Sequence, residues 1–254
     1  VNEPSPPVSR IQAILETDRI WCAYALADLD PEELPNCEWL VGRHAVVLIY
    51  RGTDPPVLFA HGDPGGIEAS FRDVAPGEYA FALSGTQRAL MRDRLTPWQE
   101  QRMWRMHLKP HESPKMVDDD VVPLGPSDED EIVALFADHA DRPDAFYARQ
   151  LEGGTFFGLR RAGALVSVAG THVVSQVYSV GAIGNVFTRP DLRGHGLGTR
   201  VTAAVVERLQ TMKLRTIVLN VAMDNHPAQT SYRKLGFWPY CGYFEGYADV
   251  AAGD

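Results

Sequence analysis

A mixed α/β fold is predicted by three features of this 254-residue sequence. The run "TIVLNV" (216–221) is nearly all apolar and follows a long amphipathic segment, the pattern of a central parallel strand reached through a helix. The stretch "GTFFGLRRAGALVSVAGTHVV" (154–174) reads as strand, tight turn and strand, so part of the sheet is antiparallel. Between them, "IGNVFTRPDLRGHGLGTRVTAAVVERL" (183–209) joins an apolar run to the amphipathic segment through a glycine-rich loop.

Taken in order, "AVVLIYRGTDPPVLFAHGD" (45–63) predicts two strands around a turn, "EYAFAL" (78–83) a third, and "GTQRALMRDRL" (85–95) a short helix. "KPHESPKMVDDD" (109–120) carries two prolines and both charge signs without apolar periodicity, as a linker does. A boundary near residue 117 divides the chain into 1–117 and 118–254. Beyond it, "VVPLG" (121–125) is a strand, and "SDEDEIVALFADHA" (127–140) is a helix opened by Ser127 with acids in its first turn. "DAFYARQLEG" (144–153) reads as a second helix and "VGAIGNVFT" (180–188) as a strand. In the next helix, Leu197, Val201, Ala204, Val205 and Met212 share a face that Arg200, Glu207 and Lys213 leave. A helix from Pro227 to Leu235 precedes the last strand, "FWPYCGYFEGYADV" (237–250). Both halves fit helix, antiparallel strands, then strand and helix, a weak internal repeat in which only the second half has the glycine run.

Composition narrows the function. A net charge of -9 argues against a nucleic-acid or anionic-membrane binder, whose affinity rests on clustered Lys and Arg. No apolar run approaches the roughly 20 residues of a membrane span, and "VNEPSPPVSR" lacks the apolar segment of a secretory signal, so a cytoplasmic protein is expected. Cys22, Cys37 and Cys241 have neither metal nor redox spacing and read as reduced thiols. His107 and His111 lack supporting ligands, and no metal site is expected.

The loop "RGHGLGT" (193–199) sits where a strand has ended and a helix begins. Amides of the first helical turn have no intrahelical acceptor, the macrodipole adds partial positive charge, and glycines let a ligand approach the backbone. A phosphate or pyrophosphate fits. The spacing excludes a nucleotide-triphosphatase loop, since no lysine follows the glycines. It also excludes G-x-G-x-x-G, since the third position falls on Thr199 or Val201.

Arg193, Gly196 and Gly198 do satisfy Arg/Gln-x-x-Gly-x-Gly/Ala, and "NVAMDNHPAQTSYRKLGF" (220–237) supplies Asn-x-x-Ala followed by Tyr-x-x-x-Gly-Phe. On these two motifs the sequence resembles the GNAT superfamily of N-acetyltransferases over residues 120 to 247, and is similar to the branch with glycine N-acyltransferase-like C-terminal domains. The resemblance implies an acyl-CoA N-acyltransferase fold in the C-terminal half, preceded by an accessory or degenerate GNAT-like domain. It implies acetyl-CoA as donor and a small amine as acceptor. Pantetheine would pair with the strand backbone at Val186, Phe187 and Thr188. The phosphates would meet Arg193 and the amides of Gly194, His195, Gly196, Leu197, Gly198 and Thr199, with His195 contributing only its backbone. Asn225 is either a coenzyme A contact or a helix cap. Tyr232 is either a core tyrosine or, as in the family, the group that protonates the departing thiolate.

No carboxylate stands on "SVGAIGNVFT" (179–188) to serve as general base, which leaves Glu152, Glu245 and His172 as candidates. An α-amine, with a pKa near 8, needs less help than a lysine amine. Two alternatives stay open: an enzyme for longer acyl chains, and a catalytically silent coenzyme A-binding module. Monomer and homodimer are equally compatible with the sequence.

Overall fold

The computed structural model describes residues 7–109, 120–143 and 145–253. The chain forms two compact units, residues 1–105 with 240–254, and residues 106–239. In chain order the first unit begins with helices α1 (Val8–Leu15) and α2 (Ala23–Ala27). Strands β1 (Cys37–Val41), β2 (Ala45–Tyr50) and β3 (Val57–Gly62) lead to α3 (Pro64–Phe71), β4 (Gly77–Leu83), α4 (Gly85–Met91) and β5 (Leu95–Leu108). The second unit holds β6 (Val121–Leu124), α5 (Glu129–Phe136), β7 (Phe156–Arg161), β8 (Ala164–Ser175), β9 (Val180–Thr188), α6 (Leu197–Thr211), β10 (Thr216–Ala222) and α7 (His226–Lys234). Strand β5 ends in the second unit, and the last strand, β11 (Phe237–Val250), begins in the second unit and ends in the first.

Strand order in the first unit is β1-β2-β3-β4-β11-β5 and in the second β10-β9-β8-β7-β6. In the first, β1, β2 and β3 are antiparallel neighbours and β3 runs parallel to β4 through α3. In the second, β6 to β9 are antiparallel neighbours and β9 runs parallel to β10 through α6. The mixed sheet and the parallel placement of 216–221 therefore agree with the sequence, and both units repeat the same strand–helix–parallel strand step.

The division differs from 1–117 and 118–254. Residues 240–254 return to the first unit because Phe244–Val250 pair antiparallel with Leu83–Gly77 of β4, and Ala248 and Val250 join its core. The boundary near 117 lies outside the described residues. Three local expectations also change. Residues 148–153 form a 3-10 turn rather than an α-helix, and Gly154, left-handed at φ 61°, ends it. A second 3-10 turn, Pro126–Asp128, precedes α5, so Ser127 does not cap that helix. Helices α1 to α3 and strands β1 and β5 were not expected from the sequence pattern.

In the second unit, Ile132, Phe136, Leu151, Phe156, Val168 and Phe187 form the core beneath α5. The Phe136 ring meets Phe187 at 5.6 Å and Phe146 meets Phe156 at 5.9 Å, both edge-on. Gly170 is fixed by this packing, since a Cβ there lies 2.4 Å from the Phe156 ring. Phe156→Ala is expected to cost about 3–5 kcal/mol, read as a lower denaturant midpoint at unchanged m-value.

Candidate functional site

After β9 the chain makes a 3-10 turn at Pro190–Leu192 and passes through Arg193–Gly196 into α6. Gly194 and Gly196 hold φ of 81° and 76°, and a Cβ at either meets nothing within 4 Å. Backbone conformation, not internal crowding, thus requires glycine, and the space beside the loop is open. Gly198 differs: its Cβ comes 3.2 Å from Thr188 Oγ1, so glycine lets the helix start close to the strand end. Arg200 N donates to Gly196 O at 3.1 Å, the first α-helical bond, so the amides ahead of it face outward without a helical acceptor. The residues present fit an anionic diphosphate: oriented N–H groups, a helix N-terminus and no Cβ in the way.

The loop's side chains point elsewhere. Arg193 donates from Nε to Thr188 O at 2.9 Å, pairs with Asp141 at 2.7 Å, and lies 5.3 Å from the Phe187 ring centroid. Its hydrogen bond holds the Asp141 carboxyl below the usual carboxylate range. His195 Nδ1 lies 3.0 Å from Arg193 O, so the imidazole folds back on the loop. Beside it lies a depression of about 450 Å³ lined by Arg161, Arg189, Leu192, His195, Leu197 and Arg200. Arg189 pairs with Asp191, while Arg161 and Arg200 share Asp120. On a chain of net charge -9 this is a local concentration of cations at the loop.

Strand β9 is irregular where the loop's approach begins. Val168 pairs with Phe187 and Gly170 with Gly184, so Asn185 and Val186 stand opposite Ala169 alone. This is a β-bulge, and Asn185 takes the left-handed conformation, φ 53°. Asn185 Nδ2 donates to Gln150 Oε1 at 3.0 Å, whereas its buried Oδ1 has no partner among the described residues. Gln150 Nε2 donates to His172 O at 3.2 Å and thereby ties the 148–153 turn to β8. His172 is itself an extra residue, lying between the Thr171–Ile183 and Val173–Ala182 pairs. Its imidazole lies over Gly184, where a Cβ would come within 2.2 Å of the ring. The two irregularities gather an imidazole, two amides and an interrupted ladder.

Tyr232 is 8% exposed and meets Phe237 edge-on at 6.4 Å. Burial pushes its phenol up to about 12. Asn225 Oδ1 accepts from Ala228 N at 3.1 Å and caps α7, so its carbonyl oxygen is committed to the helix. Val186 and Thr188 are partly exposed on β9, while the Phe187 side chain is buried in the core and leaves only its backbone for a ligand. Glu152 is exposed on the 148–153 turn, and Glu245 belongs to the first unit, where it accepts from Tyr243 Oη at 2.6 Å. Of the three candidate bases, His172 is the one placed at the bulge. Among the described residues no group of three or more His, Cys, Asp or Glu is arranged to hold a metal ion, and no helix is long and apolar enough to cross a membrane.

The family model for the acetyltransferase (GNAT) family matches residues 86–237. The chain belongs to the GNAT family. The match begins within α4, ahead of residue 118, so it is not confined to the C-terminal half. The GNAT chain is similar to a putative [ribosomal protein bS18]-alanine N-acetyltransferase of Bacillus subtilis, 31% identical over 98 residues, 38% of this chain and 63% of that protein. It is also similar to mycothiol acetyltransferase of Pseudarthrobacter chlorophenolicus, 38% identical over 69 residues, 27% of this chain and 20% of that protein. The matched regions thus span less than two thirds of either relative. A GCN5-related N-acetyltransferase from Kribbella flavida shares the fold at TM-score 0.64 and 14% identity, covering 92% of this chain and 95% of that one.

Several features of this GNAT site carry no sequence signal. Asp141 as partner of Arg193, Gln150 as the bridge between Asn185 and β8, and the gathering of Arg161, Arg189 and Arg200 all depend on tertiary placement. The bulge has one trace in the sequence, Gly184-Asn185, a pair suited to an irregular backbone inside an apolar strand.

Proposed function

We propose that this GNAT chain is an N-acetyltransferase that moves the acetyl group of acetyl-CoA to the amine of a small acceptor by direct attack. The observation that carries the reading is the open, glycine-lined row of amides at the start of α6, next to a bulge in β9. Amides from Gly194 to Thr199, with Arg193 close by, hold the diphosphate. Backbone groups of Val186, Phe187 and Thr188 flank the pantetheine arm, as an added strand would. Because Arg193 Nε already donates to Thr188 O, Val186 is the freer partner on that strand. The acceptor nitrogen bonds to the thioester carbonyl carbon, a strand N–H at the bulge polarises the carbonyl oxygen, and the C–S bond breaks.

His172 takes the proton that the attacking amine sheds, and Tyr232 donates a hydrogen bond to the departing sulfur. With its phenol near 12 and a thiol near 8.5, Tyr232 stabilises the thiolate by hydrogen bonding rather than by giving up its proton outright. The first unit serves as an accessory GNAT-like domain, and the protein works in the cytoplasm as a monomer or homodimer without nucleic-acid or membrane partners. The names of the curated relatives, a putative ribosomal-protein alanine N-acetyltransferase and mycothiol acetyltransferases, support including a ribosomal-protein alanine and a mycothiol-type acceptor in the first panel.

The experiment is a panel of amines, amino acids and peptides with acetyl-CoA, followed by thiol release and by mass of the product. Stoichiometric acetylation of one acceptor class is expected. Coenzyme A binding without release across the panel would instead identify a silent binding module. A replacement at the proposed base refines the test: His172→Gln should lower kcat/KM roughly 10²-fold at pH 7 and shift the pH–rate limb upward, toward the pKa of the free amine. An unchanged pH profile assigns proton removal to another group.

A further inference from the structure

The first unit buries an arginine two of whose three guanidinium nitrogens have no acceptor among the described residues. Arg105, on β5, is 2% exposed, and its Nε and Nη1 are fully enclosed without a hydrogen-bond partner among the described residues. Three aromatic rings surround the guanidinium: its carbon lies 4.7 Å from the Tyr24 centroid, 5.5 Å from Trp21 and 5.6 Å from Tyr243. Tyr24 comes from α2, Trp21 from the turn before it and Tyr243 from β11, and Trp21 and Tyr243 pack edge-on at 5.4 Å.

Ring faces attract the cation but cannot accept its N–H bonds along the guanidinium plane. A buried donor left without its bond is costly, and more so when it is charged. A purely structural arginine would have a carboxylate or carbonyl at those two nitrogens. The nearby acids are engaged differently: Glu245 accepts from Tyr243 Oη at 2.6 Å, and Asp18 accepts from Tyr240 Oη at 2.7 Å. Both still act through space on the groups Arg105 acts on, Glu245 on Tyr24 and Tyr243, Asp18 on Cys22 and Cys241. The neighbourhood is therefore already acidic, with Glu16 also acting on Cys22 and Asp28 on Tyr24. A monoanion suits it better than a phosphate dianion, and flat aromatic walls suit a planar head with an apolar body.

We propose that Arg105, walled by Trp21, Tyr24 and Tyr243, is the receptor for a small organic carboxylate, bound through the planar guanidinium within the first unit. The site shares no residue with the loop at residues 193–199, and the proposal does not depend on acetyl transfer. With the cage closed around Arg105, a ligand enters only when the rings part.

The test is thermal unfolding of the full chain in sodium acetate, propionate or benzoate, against sodium chloride and sodium phosphate at equal ionic strength. The carboxylates should raise Tm by roughly 3 °C for each tenfold rise above the dissociation constant, and the two reference salts should not. In Arg105→Met that dependence should vanish, while Tm without carboxylate stays at or above that of the natural chain, because a buried unpaired charge has been removed. Should the variant fail to fold, the Arg105 Nε–H resonance of the unaltered chain decides, since it must move on carboxylate addition and stay in place with chloride. Carboxylate curves that overlay chloride, an Nε–H signal that does not move, or an Arg105→Met chain that keeps the dependence would each overturn the assignment.

Discussion

Gly196→Val is expected to weaken acetyl-CoA binding by about 10²-fold or more while the chain remains folded. The argument starts from φ. At 76° the position lies in the left-handed region, where a β-branched residue is strained by about 1–2 kcal/mol. Beyond its chain neighbours, no described atom lies within 4 Å of the new Cβ, so nothing in the core is displaced and the stability cost stays near that strain. The ligand loses more. A loop forced out of the left-handed conformation re-aims the amides around it, and each charge-assisted bond to a phosphate oxygen contributes about 1.5–3 kcal/mol. Two such bonds lost give the stated factor. Gly163 is the matched control, with φ 85°, open surroundings and a place in the β7–β8 turn. Gly163→Val should show similar destabilisation and unaltered acetyl-CoA affinity. Equal loss of affinity in both variants would show that strain alone, not the loop's amides, sets binding.

Tyr232→Phe is expected to lower kcat roughly 10²-fold with the acetyl-CoA dissociation constant little changed. The substitution removes one oxygen and keeps the ring that packs against Phe237, so the fold should tolerate it. Because burial pushes the phenol up to about 12, Tyr232 keeps its proton at every pH where the acceptor amine becomes neutral. The alkaline limb of the rate profile therefore should not report Tyr232. The same shift fixes a sign for stability. The folded pKa lies above the unfolded value near 10, so the stabilisation from keeping this phenol neutral is complete below pH 10. It is lost as pH rises from about 10 to about 12. Tyr232→Phe should unfold at higher pH than the natural chain. Wild-type turnover in the variant would return Tyr232 to the role of a core residue.

The loop was legible in the sequence because its chemistry is local. The run of glycines at 194, 196 and 198 stands at a strand-to-helix join that spacing alone reveals, and the parallel β9–α6–β10 step follows from apolar runs on either side of an amphipathic helix. At Asn225 the sequence left a coenzyme A contact and a helix cap both open, and the structure shows its side chain capping α7. What stayed hidden depends on residues far apart in the chain. Strand β11 reads as a continuation of the second half, yet its partner is β4, more than 150 positions earlier. Strand β5 reads "TPWQEQRMWRMHL" (96–108), with charges interrupting any alternation, and its pattern did not mark a strand. The short 3-10 turn at 148–153 carries helix-forming residues, but Gly153 and Gly154 stop it before an α-helix can propagate. In Arg105 the sequence offers only one more cation, and burial among three rings is what gives it meaning.

Isothermal titration of acetyl-CoA into the folded chain probes the central claim most directly, since the amides at the start of α6 are asked to hold its diphosphate. A saturable one-to-one isotherm that is retained in Gly163→Val and lost in Gly196→Val is the expected result. Absence of heat for acetyl-CoA and for longer acyl esters, from a chain shown to be folded by circular dichroism, would contradict the account.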